Sequence, residues 1–376
     1  MQGGVRKRGD NWYYYFEAGK VDGKRKKIER KGGKTKKEAQ AALRKALDEF
    51  EKTGSSTQES KMSVSDYFDM WFDKYVLINC KYNTQQYYRQ SIDKHIKPSL
   101  GVYQIKQVKP AILQDFLNKK FLEGYSKSSL KNFLGILSKA FQMAVYPYEL
   151  IKQNPVQYIH LPKFDKPKND DELKLIAKDD FEKIVKRFPE GSSFYIPLMI
   201  GYHTGMRAAE VCGLTWDCVD LDKGVVSVEK ILINKGKSFE FGTPKTASSV
   251  RDIIIGGSLI TILNVWKKKQ EENKKEYGSF YKESNFVCTK ENGETVTMNS
   301  LKYLSKVVNY ELKINFNFHS LRHTHATMLI ESGANIKDVQ MRLGHSKLST
   351  TMDTYAHVTK SMQSNTIALF EEFLKK

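Results

Sequence analysis

Two polar stretches decide what this chain can fold into. Thr53 to Lys61 (TGSSTQESK) holds no apolar side chain, and Leu161 to Glu172 (LPKFDKPKNDDE) carries two prolines and many charges. Such segments bury too little apolar surface to offset the entropy of ordering them, so both read as linkers. They divide the 376 residues into units at 1–53, 62–160 and 173–360, joined by linkers at 54–61 and 161–172, with a tail at 361–376. A chain of this length is expected to form two or three domains of roughly 150 residues or fewer.

The first unit reads as a small sheet backed by a helix. A basic run, Val5-Arg6-Lys7-Arg8, reaches Gly9-Asp10, and an aromatic run from Trp12 to Phe16 continues to Lys20. Asp22-Gly23 is a hairpin-turn pair, with Lys24 to Arg30 as the return strand. Thr35 and Glu38 form a capping box that starts a helix whose apolar positions are Ala39, Ala42, Leu43, Ala46, Leu47 and Phe50, with Gly54 as its stop. Trp12 and Tyr14, at alternating positions, are expected on the packed face of the sheet against the helix, with stacking on a ligand as the alternative.

The second unit reads as all-helical, with helices over Val64 to Val76, Thr84 to Lys97, Pro110 to Leu122 and Lys127 to Tyr146. Its breaks fall at Lys97-Pro98, Gly124 and Pro147. The third mixes helices with strands at Val225 to Glu229, Ser238 to Phe241 and Val250 to Ile255. The tail, Met362 to Lys376, has helical spacing of Ile367, Leu369, Phe370, Phe373 and Leu374. The expected fold class is multidomain: a three-stranded β-sheet plus helix, an all-α middle domain, and a mainly α (α+β) third domain.

Charge narrows the partner. Lys plus Arg total 62 against 43 Asp plus Glu, a net +19, and residues 1–45 alone hold 15 basic and 5 acidic side chains. Such an excess favours a polyanion. No apolar run is long enough to cross a membrane; Phe194 to Tyr202 is short and contains Pro197. The basic N-terminus runs into aromatic residues and lysines, unlike a signal peptide. Cys80, Cys212, Cys218 and Cys288 lack metal-ligand spacing and fit reduced thiols in a cytoplasmic protein.

Several motifs are discarded on spacing. Gly33-Lys34-Thr35 would end a phosphate-binding loop, but the glycine required five positions earlier is Ile28. Asp217, Asp220 and Asp222 lack the Gly and Glu of a calcium loop. His319, His323 and His325 lack the Glu of a helical zinc motif. No metal and no cofactor is expected.

What remains is a better constellation. His319-Ser320-Leu321-Arg322 opens a helix from Ser320 to Ser332 that is stopped by Gly333. There the i, i+3 spacing puts His319 and Arg322 on one face, near amides that favour a phosphate. Arg207 lies just past the turn glycine of Thr204-Gly205-Met206-Arg207-Ala208-Ala209-Glu210. Lys245 sits in a turn between two strands, and Tyr355 follows Leu343-Gly344-His345 by ten residues.

In this order, TGMRAAE at 204–210, PKT at 244–246, HSLR at 319–322, LGH at 343–345 and Tyr355 resemble the active site of the tyrosine recombinase (phage integrase) family. That family more often spaces its LGH histidine and tyrosine one residue closer. Here the closer position is Thr354, which cannot serve as the nucleophile. The resemblance implies an arm-type DNA-binding domain at 1–53, a core-binding domain at 62–160 and a catalytic domain at 173–360. It implies Tyr355 as nucleophile, forming a covalent 3′-phosphotyrosyl link, with Arg207 and Arg322 clamping the phosphate and Lys245 as general acid. His319 and His345 would bind the phosphate or handle the nucleophile's proton, with the split between them open. Glu210, one turn past Arg207, would orient its neighbours. Neither ATP nor metal is then required.

The expected partner is double-stranded DNA at core and arm sites. Arm contacts would come from Arg6, Lys7, Arg8, Lys24, Arg25, Lys26 and Lys27. A homotetramer on DNA, an excisionase and a host DNA-bending protein are further implied partners, with no membrane. The tail helix would dock in cis or on a neighbouring protomer. Competing readings are a Xer-like resolvase or relaxing topoisomerase with the same chemistry, and a non-catalytic DNA-binding regulator on the same scaffold.

Overall fold

The structure, a computed structural model, describes residues 3–21, 24–53, 62–164, 174–236, 238–244, 246–349, 351, 352, 354, 355 and 374. Lys245, the Asp22-Gly23 turn, residues 54–61 and nearly all of the expected tail helix lie outside the described residues. The chain forms two compact units, Met1–Lys166 and Pro167–Lys376.

The first unit opens with the antiparallel sheet β1 (Gly3–Arg8), β2 (Asn11–Val21) and β3 (Lys24–Gly33), in that spatial order. Its helix α1 (Lys36–Thr53) starts where the capping box is expected. The Glu38 amide donates to Thr35 Oγ1 at 3.2 Å, and the Lys34 amide donates to Glu38 Oε2 at 2.8 Å. Strand alternation sends Tyr14 and Phe16 into a core with Ala46, flanked by Val5, Ile28, Ala42, Leu43 and Leu47. Strand β3 runs to Gly33, beyond the expected Arg30, because β2 still offers pairing partners as far as Trp12.

The remainder of this unit is helical: α2 (Val64–Trp71), α3 (Leu77–Asn79), α4 (Tyr82–Ser91), α5 (Lys97–Leu100), α6 (Pro110–Leu122) and α7 (Lys127–Val145). Its core gathers Tyr67, Phe68, Trp71, Ile92, Ile96, Leu113, Leu117 and Phe141. The expected break at Lys97-Pro98 does not occur. A wider π turn, Ile92–Ile96, carries the helix on, and the Lys97 amide donates back to the Ile92 carbonyl five residues earlier. Pro98 then needs no donor, and the widened turn accommodates its ring. A second π turn, Phe72–Val76, links α2 to α3. Leu161 and Phe164, expected in a linker, pack against this core, with Phe164 edge-to-face on Phe121 at 5.0 Å. Their apolar surface outweighs the polar character of the residues that follow.

The second unit contains α8 (Lys178–Arg187), α9 (Tyr195–Thr204), α10 (Ala208–Cys212), α11 (Gly257–Tyr277), α12 (Met298–Glu311), α13 (Phe318–Glu331) and α14 (Ile336–Leu343). Strands β4 (Val219–Asp220), β5 (Val225–Val228) and β8 (Arg251–Ile254) form one antiparallel sheet. Strands β6 (Ile231–Lys235) and β7 (Ser238–Gly242) form a separate hairpin. Strand β6 is absent from the sequence reading; Ile231 to Lys235 alternates too weakly to stand out until β7 pairs with it. Strands β7 and β8, though consecutive, therefore belong to different sheets, because β7 pairs with β6 and β8 with β5. Helix α9 is apolar on nearly every side and lies within the core, where it packs on α13. Pro197 falls in its first turn, where an amide would have had no partner within the helix.

Candidate active site

Four pieces of the second unit build the site. The first is the turn after α9, where Gly205 sits at φ +66°, a backbone that only glycine adopts without strain. It buries Met206 and leaves Arg207 as the residue that opens α10. The Arg207 amide donates to Glu210 Oε2 at 2.9 Å, and its Nη1 donates to Oε1 at 2.8 Å.

The second piece is β8. Arg251 Nη2 donates to Glu210 Oε2 at 3.0 Å, and Nη1 to the Ser249 carbonyl at 2.9 Å. Glu210 is buried, so desolvation alone would raise its pKa. Arg251 and Arg207 outweigh that and hold the carboxyl below its ordinary range. Glu210 thus bonds to Arg207 and Arg251 together.

The third piece is the start of α13, where Asn317 Oδ1 accepts the Ser320 amide at 3.0 Å. His319, Arg322 and His323 project from this first turn and a half. Arg322 is only 2% exposed; its Nη1 donates to the Gly205 carbonyl at 2.9 Å and its Nη2 to the Leu343 carbonyl at 2.7 Å. Burial and the neighbouring Arg207 push its pKa down to about 9, which leaves it a cation at neutral pH.

The fourth piece is the C-terminal end of α14. A helix ends with carbonyls that have no amide of their own and with the negative pole of its dipole. Here Gly344, at φ +69°, donates its amide to Gln340 and Met341, and the next three carbonyls turn to arginines. Arg251 Nε donates to the Arg342 carbonyl at 2.6 Å, Arg322 to Leu343 at 2.7 Å, and Arg207 Nη2 to Gly344 at 3.2 Å. Three guanidiniums are thereby collected around one carboxylate, Glu210. The surplus positive charge, with Arg207 still partly open to solvent, matches the oxygens of a phosphate.

The histidines divide by partner. His345 Nδ1 lies 2.9 Å from Thr351 Oγ1, and burial with Arg322 and Arg207 lowers its pKa to about 4. His319 keeps an exposed edge, yet the protein around it, with His323 and Arg322, also lowers its pKa to about 4. Neither meets Tyr355. The ring that does is His323, whose Nδ1 lies 3.1 Å from Tyr355 Oη. Tyr355 is 1% exposed, and burial raises its pKa to about 12 against the pull of Arg322. Lys245 lies outside the described residues.

Three residues of this network escape a motif reading. His323 carried a signal, because it directly follows Arg322 and shares a helix face with His319. Arg251 and Arg342 carried none. Arg342 Nε donates to His325 Nε2 at 3.0 Å, and Nη2 to the His203 carbonyl at 3.1 Å. His325 Nδ1 faces the Tyr202 carbonyl at 2.9 Å, so both ring nitrogens are spent on structure. Asp217 pairs with Lys230 at 3.0 Å and Asp220 with Lys223 at 3.1 Å. Among the described residues, no group of three His, Cys, Asp or Glu side chains could hold a metal ion.

The first unit carries the other candidates. Arg6, Arg8 and Glu29 form an ion cluster, with Arg6 Nε donating to Glu29 Oε1 at 2.7 Å. Lys27 Nζ lies 3.7 Å over the Tyr15 ring, to which Arg6 is also close. By alternation with Val5, this cluster is on the face turned away from α1, and Lys7 falls on the opposite face. Lys24, Arg25 and Lys26 lie on β3, and their side chains are outside the described ones.

Among known proteins, the phage integrase family model matches residues 174–362, which hold all four pieces of the site. The chain belongs to the phage integrase family. The family's N-terminal SAM-like domain matches residues 63–121, and an arm DNA-binding domain matches residues 5–50. A XerC-like tyrosine recombinase of Caldanaerobacter subterraneus subsp. tengcongensis is 30% identical over 351 residues, 89% of each chain. The ICEBs1 integrase of Bacillus subtilis (strain 168) is 26% identical over 352 residues, covering 90% of this chain and 91% of its own. A solved structure of the Tn1549 transposon integrase in complex with transposon right end DNA superposes with a TM-score of 0.67 at 23% identity. That match covers 81% of this chain and 99% of the other, and shows the shared fold. The protein is accordingly a site-specific DNA recombinase that cleaves and rejoins strands. None of its described helices is long and apolar enough to cross a membrane.

Proposed function

We propose that this recombinase integrates a mobile genetic element, and with help excises it, using Tyr355 as the nucleophile. The observation that carries the residue roles is the convergence of Arg207 and Arg322 on consecutive carbonyls, Gly344 and Leu343, beside Glu210. Guanidiniums fixed in advance can stabilise charge that develops on the non-bridging oxygens without reorganising during the reaction. Tyr355 Oη attacks phosphorus and forms the 3′-phosphotyrosyl link, which conserves the bond energy for rejoining. Lys245 protonates the leaving 5′-oxygen. His319 and His345, lying beside both arginines, hydrogen-bond the phosphate.

The arm DNA-binding match at residues 5–50 supports an integrase that holds arm as well as core sites, over a simple resolvase. The basic face of β1 to β3 contacts the arm DNA, the helical 62–160 region contacts the core site, and the protein acts as a homotetramer in the host cytoplasm. An excisionase and a host bending protein set direction. Similarity to the ICEBs1 integrase supports the mobile-element assignment.

The test is a Tyr355→Phe protein on a nicked suicide duplex. It is expected to bind its site with unchanged affinity and to form no covalent adduct. An undiminished adduct would remove Tyr355 from the role.

A further inference from the structure

We propose that His323 takes the proton from the Tyr355 hydroxyl as the tyrosine attacks the scissile phosphate, and returns it when the strand is rejoined. This rests on Tyr355 being the nucleophile. In cleavage the Oη–H bond breaks and its proton passes to His323 Nδ1, while Oη forms the new bond to phosphorus. The bond from phosphorus to the 5′-oxygen breaks, and that oxygen takes its proton from Lys245. Rejoining runs the same transfers backwards.

The geometry assigns the role. Nδ1 and Oη are 3.1 Å apart, within direct transfer distance. Tyr355 is almost wholly buried, packed with Ala326, Ile330, Val339 and Leu343, so bulk water is poorly placed to receive the proton. Burial makes the phenol harder still to ionise than an ordinary tyrosine, and a phenol without a base is a weak nucleophile.

Groups facing His323 are His319 and Arg322 from its own helix, Tyr355 from the C-terminal segment and His345 from the turn after α14. Burial, then Arg322, lower the His323 pKa, which leaves the ring neutral with a lone pair to accept. The other histidines are occupied differently. His345 Nδ1 faces Thr351, and His319 stands edge-on to His323 with ring centres 4.8 Å apart.

The experiment compares full-length wild type, His323→Ala and His323→Gln on suicide duplexes carrying the core sequence recovered by covalent trapping. Each is run with an ordinary or a 5′-bridging phosphorothiolate scissile bond. A sulfur leaving group needs no proton, so it bypasses the general acid but not the base. Both variants are expected to bind DNA normally and to cleave about 10²-fold slower. Sulfur is expected to leave that defect in place while rescuing Lys245→Ala. The acid limb of the wild-type pH–rate profile should flatten in both variants.

Cleavage by either variant within a few-fold of wild type would overturn the proposal. So would rescue by sulfur, or a slow rate with an unchanged pH profile, which marks a packing role. Glutamine keeps the size of the side chain and cannot act as a base, so it decides the matter should alanine impair folding. An adduct formed by Tyr355→Phe would overturn the nucleophile assignment instead, independently of the His323 result.

Discussion

Arg207 and Arg322 donate to the carbonyls of neighbouring residues, Gly344 and Leu343, though they start from helices far apart in the chain. The end of α14 thereby sets the spacing of the two guanidiniums. Glu210 then fixes the rotation of Arg207 and binds Arg251, whose Nε holds the preceding carbonyl. One short helix end and one buried carboxylate, with the Gly205 and Ser249 carbonyls, position the cationic cluster.

Arg322→Lys is expected to keep the charge and lose the geometry. A single ammonium cannot reproduce the planar fork that donates to Gly205 and Leu343, so one buried carbonyl is left unpaired, at a cost of about 1–3 kcal/mol. Single-turnover cleavage should fall by about 10²-fold or more, as when a preorganised donor is removed from an anion site. Core-site affinity should change far less. Urea unfolding and adduct formation measure the two effects.

Glu210→Gln breaks a buried ion pair and leaves two arginines without their carboxylate. About 3–5 kcal/mol of stability should be lost at neutral pH. The Glu210 pKa in the folded state lies below its ordinary value, so its stabilisation is complete above the ordinary carboxylate range. It disappears as pH falls through the lowered value. The stability gap between wild type and variant should therefore close in acid, as read by urea unfolding across pH. A gap that stayed constant would mean the carboxylate is not the stabilising group.

Gly344→Ala tests the turn itself. At φ +69° an L residue is strained, and the new Cβ would lie 2.9 Å from the Ser248 carbonyl oxygen and 3.1 Å from Arg251 Cδ. A stability loss of about 1–3 kcal/mol is expected, with Arg207 and Arg251 displaced from their carbonyls. Cleavage should suffer more than binding; a fully active variant would show that the α14 end does not position the arginines.

Glu29→Gln frees Arg6 and Arg8 on the sheet face turned away from α1. Arm-site binding should tighten at low salt and its salt dependence steepen, by about 0.9 in log–log slope for each additional phosphate neutralised. Deleting residues 1–53 should abolish arm binding while core-site cleavage persists. Filter binding across a salt series reads both.

The sequence by itself determined the local elements and the motif residues. Apolar periodicity and capping signals depend on neighbours along the chain, so α1, with its Thr35–Glu38 box, and α6, from Pro110 to Leu122, were legible. Arg207, Glu210, Arg322, His345 and Tyr355 stood out through the order and spacing of short motifs. Pro98 does not end its helix, because the preceding π turn supplies the room its ring needs. Only the tertiary structure decided which side chains meet. Arg251 looks like any charged residue on a short strand until the packing of β8 against α14 brings Glu210 and the Arg342 carbonyl within its reach. His323 looked like one of a histidine cluster until the return of the chain after α14 set Tyr355 against it. Those contacts arise between segments far apart in sequence, where periodicity carries no information and shape and charge in three dimensions choose the partners.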